Sequence, residues 1–323
     1  MTTVITVPPS LDETTFEIML EGLAPLPPDE KLLLDARHAR WASPFGLTSL
    51  LCIAQARAAM SGGERVGFAV PDNADTVSYW SRTGFFRHAA ELFDLHGAVP
   101  RTRDTIESSV LLEITPIAQS DDVHGIVGRI REKSADILHG QLGLDAAVTG
   151  LFGMTLSEAC QNIVEHAGQG GWVAVQTYKY TKRLGRRVVV IAVCDAGVGF
   201  RRSLESAPNH RRSDRWDDAM ALEDAVLRAQ SRFRHGDAGR GQGLAGIRRF
   251  VGRWNGKLSV RSGTARIAIT PEWDEDEPMR ESLPFFPGSQ MQIIIPERIG
   301  ESAPKSRAGA AAGGRPRPRE PQA

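Results

Sequence analysis

The sequence predicts an α/β protein made of two successive α/β units. Three observations carry this. Short apolar runs of strand length alternate with longer helix-periodic segments through residues 1–117. A second such series begins near residue 121 and contains RRVVVIAVCD, which is apolar enough for the centre of a sheet. A length of 323 residues also corresponds to about two domains.

In the first unit, VITVPP reads as a strand, FEIMLEGL as helical material and LLLDAR as a short buried strand. PFGLTSLLCIAQARAAMSGG reads as a helix, with Pro at its start and Gly at its end. RVGFAVP then reads as a strand, NADTVSYWSRTGFF as a helix and SVLLEITPI as a further strand. The second unit, residues 118–299, opens with DDVHGIVGRIREKSADILHG as an amphipathic helix. A helix follows in which Leu156, Ala159, Ile163 and Ala167 recur at three- and four-residue steps. WVAVQTYKY and RRVVVIAVCD are strands, and the polar, Arg-rich region of about residues 200–240 holds one helix, DDAMALEDAVLRAQ. LAGIRRFVGRWNG places Leu244, Ile247, Val251 and Trp254 on one stripe, and Asn255-Gly256 stops it. KLSVRSG, TARIAIT and SQMQIIIP complete the strands, the last two separated by the acidic loop EWDEDEP. Residues 300–323 are low in complexity and expected to be disordered.

Composition bounds the function. The 39 basic and 39 acidic side chains cancel, so no global field draws the protein to nucleic acid or an anionic membrane. No run approaches the roughly 18 apolar residues of a membrane span, and the N-terminus lacks the pattern of a signal peptide. Cys52, Cys160 and Cys194 form neither a metal-type pair nor a disulfide framework, which points to a reduced, cytoplasmic setting.

Three stretches stand out. In SEACQNIVEH, residues 157–166, Glu158, Asn162, Glu165 and His166 gather on a face away from the apolar stripe. That face is either a solvated surface or the wall of a site. DAGVGF, residues 195–200, follows the apolar strand directly, with Asp195 at the strand end and Gly197 and Gly199 permitting a sharp turn. Taken alone, a tight strand-to-loop turn explains it. GRGQGLAG, residues 239–246, sets Gly239, Gly241 and Gly243 at the mouth of a helix, where backbone amides can receive phosphate. Gly241, Gly243 and Gly246 satisfy G-x-G-x-x-G, but a polar loop precedes them rather than the strand a dinucleotide fingerprint needs, and no P-loop signature is present.

In this order the three stretches resemble the N, G1 and G2 boxes of the GHKL ATPase superfamily, which includes gyrase, heat-shock chaperones, histidine kinases and MutL-type proteins. PGSQMQIIIP resembles that family's closing glycine and last strand. SEACQNIVEHA is especially similar to the corresponding box of bacterial anti-sigma-factor serine kinases. The resemblance covers about residues 121–298 and implies a Bergerat-type α/β sandwich that binds ATP with Mg²⁺. It implies that Asn162 holds the metal, Glu158 acts as general base, Asp195 receives the adenine amino group, and Gly197, Gly199, Gly239, Gly241 and Gly243 shape the nucleotide loops. The 200–240 segment would be the lid over the phosphates, and Arg232, Arg234 and Arg240 are either phosphate-steering or simply solvated. His166 is either a pocket-edge residue or a surface one.

LLLDARHARWASPFGLTSLL resembles the strand and turn of STAS domains, the anti-sigma-factor antagonist fold. Pro44 and Phe45 stand where that turn carries hydroxyls, and Ser43 is the only hydroxyl before Gly46, which implies a docking module that accepts no phosphate there. The expected function is an ATP-binding signalling regulator. It would phosphorylate or sequester a protein partner such as a sigma factor or STAS antagonist, and a homodimer stays open. Two other readings remain: a nucleotide-gated binding module without catalysis, and the ATP-binding half of a histidine-kinase-like system. Against the latter, about 35 residues before the first box leave no room for a dimerising helical hairpin, and neither His124 nor His139 sits in a phosphoacceptor pattern.

Overall fold

Two sheets lie on opposite sides of one apolar helix. The computed structural model describes residues 2–99, 110–119, 121–126, 128–129, 146–181, 184–206, 216–228 and 243–297. The expected disordered tail therefore lies outside the described residues, as do His139, Arg232, Arg234, Arg240 and most of the expected lid.

The first sheet is parallel, in the order β1 (Thr2–Thr6), β3 (Lys31–Asp35), β5 (Val66–Ala69), β6 (Phe93–His96). A short parallel pair, β2 (Ser10–Leu11) with β4 (Trp41–Ala42), flanks it. α1 (Glu13–Leu23) starts on a capping box, in which Asp12 accepts from Thr14 N and Thr15 N and the Thr15 hydroxyl takes the Asp12 amide. α2 (Pro44–Ser61) starts on Ser43 and stops at Gly62, whose φ of +74° closes the helix in the left-handed region. Ser43 Oγ accepts from Gly46 N at 3.0 Å and is buried, so the one hydroxyl of this turn serves as a helix cap.

Elements of the first unit depart from the sequence expectation. NADTVSYWSRTGFF, expected as one helix, is α3 (Ala74–Arg82) and the start of α4 (Phe85–Leu92), broken at Gly84 with φ +81°. β6 follows α4 without a Gly or Pro to announce it, and no strand was expected there.

The second sheet is antiparallel throughout, in the order β12-β11-β10-β13-β9-β8-β7. Its strands are β7 (Val110–Ile117), β8 (Gly171–Tyr180), β9 (Arg186–Asp195), β10 (Lys257–Gly263), β11 (Ala265–Ile269), β12 (Met279–Arg280) and β13 (Phe286–Pro296). β7 was expected in the first unit; its backbone instead pairs with β8, and sequence adjacency to the first sheet carries no pairing. β9 sits between β13 and β8, as its apolar composition requires. No helix among the described residues is long and apolar enough to cross a membrane.

Side chains on a strand alternate between faces, and both faces of β8 and β9 are covered. Val173, Val175, Val189, Ile191 and Val193 face α5 (Ala146–Asn162) and α8 (Gly243–Arg253). Trp172, Ala174, Ala192 and Cys194 face α2. The small residues on that second face let α2 approach closely, and every residue from Pro44 to Ala54 is buried. A helix that is apolar on all sides belongs in an interior. Here that interior is the layer between the two sheets.

Buried ion pairs seal the edge of this layer. Lys257 Nζ lies 2.7 Å from Glu13, 2.9 Å from Asp276 and 3.2 Å from Asp274. Arg266 meets Asp276 at 2.6 Å and Glu17 at 3.4 Å, and Arg280 also binds Glu17. Burial opposes the Lys257 charge, but Glu13, Asp276 and Asp274 outweigh it and hold its pKa above the usual lysine value. Glu17 moves the other way: burial raises its pKa, only partly offset by Arg266 and Arg280.

Candidate functional site

α5 brings Glu158 and Asn162 to the site. Its stripe of Phe152, Leu156, Ala159 and Ile163 is buried against the second sheet, which leaves the Glu158/Asn162 face half-buried on the other side. The α ladder ends at Asn162 and continues as a π turn, Ile163–Ala167, closed by Gly168 at φ +70°. Such wide turns re-aim a helix end and recur at functional sites. This one carries the Ala167 carbonyl to the loop after β9, where Val198 N donates to it at 3.2 Å. The approach explains Gly197: a Cβ there would stand 2.0 Å from Ala167 O. The side chains of Glu165 and His166 lie outside the described part.

Asp195 ends β9 and is buried. Its Oδ1 accepts from Gly197 N at 2.8 Å and its Oδ2 from the Ser289 hydroxyl. These two bonds fix the plane of the carboxylate, which has about four acceptor positions, so capacity remains for an amino group. Burial raises its pKa to about 6, and the bonds from Ser289 and Gly197 offset only part of that rise. The start of β13 forms the other wall. Gly288 has φ +77°, and a Cβ there would lie 2.3 Å from Asp195 O and 2.6 Å from Gly197 N. Gln290 Nε2 donates to Asp195 O at 3.0 Å. Ser262 Oγ donates to Gly288 O at 2.8 Å and accepts from Phe200 N at 3.1 Å, tying β10 to the loop. Gly199, at φ +72°, turns the chain into α6 (Gly199–Glu205), and α7 (Asp218–Leu222), continued by a π turn over Glu223–Leu227, follows it in the chain.

Gly243, the first residue of α8, faces α5. A Cβ on it would stand 2.6 Å from Glu158 Oε2 and 3.8 Å from Asn162 Nδ2, so glycine is what lets the mouth of α8 close on that face. The positive end of the α8 dipole favours an anionic group there. Asn162 Nδ2 is buried with no hydrogen-bond partner among the described residues. Asn162, Asp195, Gly199 and Ser289 line one pocket, together with Ala167, Phe200 and Ser203.

The structure thus gathers Glu158, Asn162, Asp195, Gly197, Gly199 and Gly243 around one region, whereas Gly239 and Gly241 lie outside the described residues. Sequence reasoning did not single out Ser289, Gln290 and Ser262. Ser289 carried a faint signal, a hydroxyl directly after the Pro287-Gly288 turn and directly before an apolar strand. Ser262 and Gln290 read as ordinary strand residues.

Residues 149–296 match the family model described as histidine kinase-, DNA gyrase B- and HSP90-like ATPase. No curated protein and no solved structure matches the chain significantly. The matched segment begins within α5 and ends at the last residue of β13, so it takes in strands β8 to β13 and the residues that line the pocket. Domains of this type bind ATP, usually with Mg²⁺.

Proposed function

We propose that the protein is an ATP-dependent signalling switch that acts on a protein partner and transfers phosphate to a serine or threonine hydroxyl of it, as anti-sigma-factor kinases do. The observation that carries the catalytic part is the placement of Glu158 one turn from Asn162, with its carboxylate against the Gly243 mouth of α8. Pure nucleotide binding needs no base at that position; phosphoryl transfer to a hydroxyl does.

The residues fit a Mg²⁺–nucleotide. The unpartnered amide of Asn162 gives a polar group free to orient, and its Oδ1 is the ligand type Mg²⁺ prefers. When bound, the ion would neutralise charge on the phosphates. Asp195 would take the adenine amino group while Ser289 and Gly197 hold its carboxylate in place. Gly243 would bring the amides of the α8 mouth to the phosphates. Glu158 would orient the attacking hydroxyl and receive its proton.

The partner, a sigma factor or STAS-type antagonist, rests on the similarity of SEACQNIVEHA to the anti-sigma kinases. The first unit serves this reading as a fused module that takes no phosphate at its turn, since Ser43 is buried as the α2 cap. Calorimetry with Mg-ATP and Mg-ADP tests the binding part. Asn162→Ala and Asp195→Asn should each weaken binding by at least about tenfold, the effect of losing roughly 1.4 kcal/mol. Wild-type affinity in both variants would remove the nucleotide assignment.

A further inference from the structure

The base-reading carboxylate is mounted on the first unit. Cys194, the residue before Asp195, turns its side chain to α2, where the Thr48 hydroxyl donates toward Sγ at 3.1 Å and Ser49 Oγ lies at 3.8 Å; all three residues are fully buried. Ala196, the residue after Asp195, belongs to the same core as α2. The opposite wall is anchored likewise. Phe286, two residues before Gly288, meets Phe16 of α1 edge-on at 5.5 Å, and Phe16 meets Phe45 of α2 at 5.7 Å. Adjacent strand residues point to opposite faces. Holding Cys194 on the α2 side therefore fixes the angle at which Asp195 leaves β9 on the other.

We propose that the first unit is the back wall of the nucleotide site, with Thr48 and Phe16 acting as positioning residues that set Asp195 and Ser289 for the base. This rests on the reading of Asp195 as the group that takes the adenine amino hydrogen. The physical basis is distance. A hydrogen bond to a base holds only within about 2.7–3.2 Å, so a small shift of Cys194 or Phe286 costs base recognition without disturbing the phosphate side of the pocket. Coupling of this kind is reciprocal. A protein that shifts α1 or α2 changes the affinity for adenine nucleotide, and nucleotide changes the affinity for that protein by the same factor. The fused unit thereby gives a docked partner a route to the site through α1 and α2.

The test is calorimetry of Mg-ADP and Mg-GDP on the full chain, comparing wild type, Thr48→Val, Thr48→Ser, Phe16→Leu and Asp195→Asn, with the melting temperature of each recorded. Thr48→Val and Phe16→Leu should weaken ADP by about fivefold or more, the lower range of a coupling free energy, and should narrow the preference for ADP over GDP. Thr48→Ser, which keeps the hydroxyl, should restore both. Asp195→Asn separates the two levels: if it leaves ADP binding unchanged, the underlying reading of Asp195 fails. If Asp195→Asn weakens ADP while Thr48→Val and Phe16→Leu lower only the melting temperature and keep wild-type affinity and base preference, the inference is overturned and these contacts are packing alone. Should Thr48→Val not fold, Phe16→Leu decides by the same criterion.

Discussion

α2 and α5 cover the same sheet from opposite sides, and they differ in what they do with polar atoms. α2 buries Thr48, Ser49 and Arg57 and gives each a partner: Thr48 bonds to Pro44 O and Cys194, Ser49 lies beside Cys194, and Arg57 donates to the Glu30 carbonyl at 2.6 Å. α5 turns Glu158 and Asn162 toward the mouth of α8 and leaves the Asn162 amide nitrogen unpartnered among the described residues. A buried polar group without a partner costs about 1–3 kcal/mol. The fold carries that cost on the face of α5 that lines the pocket and avoids it on α2, which joins the two sheets.

The largest expected effect breaks the functional side of this comparison. Glu158→Ala should lower phosphate transfer or hydrolysis by about 10²–10⁴-fold while nucleotide affinity and melting temperature stay close to wild type. If turnover in a steady-state assay survives, α5 carries a binding face only and the nucleotide-gated module is the better reading. Leu50→Ala breaks the structural side. Leu50 is fully buried on α2, and its truncation should cost about 2–5 kcal/mol. Because α2 shares a core with both sheets, urea unfolding followed by tryptophan fluorescence should show one transition moving to lower midpoint. Two separating transitions would mean the sheets are independent.

A third expectation uses pH. Asp195 has its pKa raised to about 6 by burial. An ionised carboxylate accepts an amino hydrogen more strongly than the neutral acid does, so affinity for adenine nucleotide should be highest above pH about 6 and weaken as pH drops through that value. Asp195→Asn should show a flat profile across the same window; a wild-type profile equally flat from pH 5 to 8 would contradict the raised pKa. The smallest effect distinguishes two glycines of α8. A Cβ at Gly243 would collide with Glu158, whereas one at Gly246 would meet nothing within 4 Å. Gly246→Ala should therefore be neutral or stabilising by about 0.4–1 kcal/mol with unchanged ADP binding, and Gly243→Ala should weaken ADP.

The candidate site was more legible in the sequence than the way the two units are joined. Asp195, Gly197, Gly199, Glu158 and Asn162 could be named because glycines and polar residues at strand and helix ends stand out against apolar runs. Ser289 could not, because one hydroxyl at a turn has many ordinary uses. The π turn after Asn162 left no mark, since IVEHA suits an α helix equally well. The join between the units was written in alternation: Trp172, Ala174, Ala192 and Cys194 are the small or aromatic members of two strands whose other face is Val and Ile. That pattern says both faces are covered but does not say by what. β7 was assigned by adjacency along the chain, and only its backbone ladder with β8 places it in the second sheet.

The buried cysteines give the molecule its own clocks. Cys52 and Cys194 lie in the core that α2 shares with both sheets, and Cys160 lies in the core beneath α5. Burial raises all three thiol pKa values, so none is a ready nucleophile while the fold is closed. Alkylation must wait for local opening, and the two cores report separately. Under a pulse of thiol reagent, Cys52 and Cys194 time the parting of α2 from the sheet, while Cys160 times the loosening of α5 from its other face. The interval between the two rates measures, without any added label, how far one unit can release before the other follows.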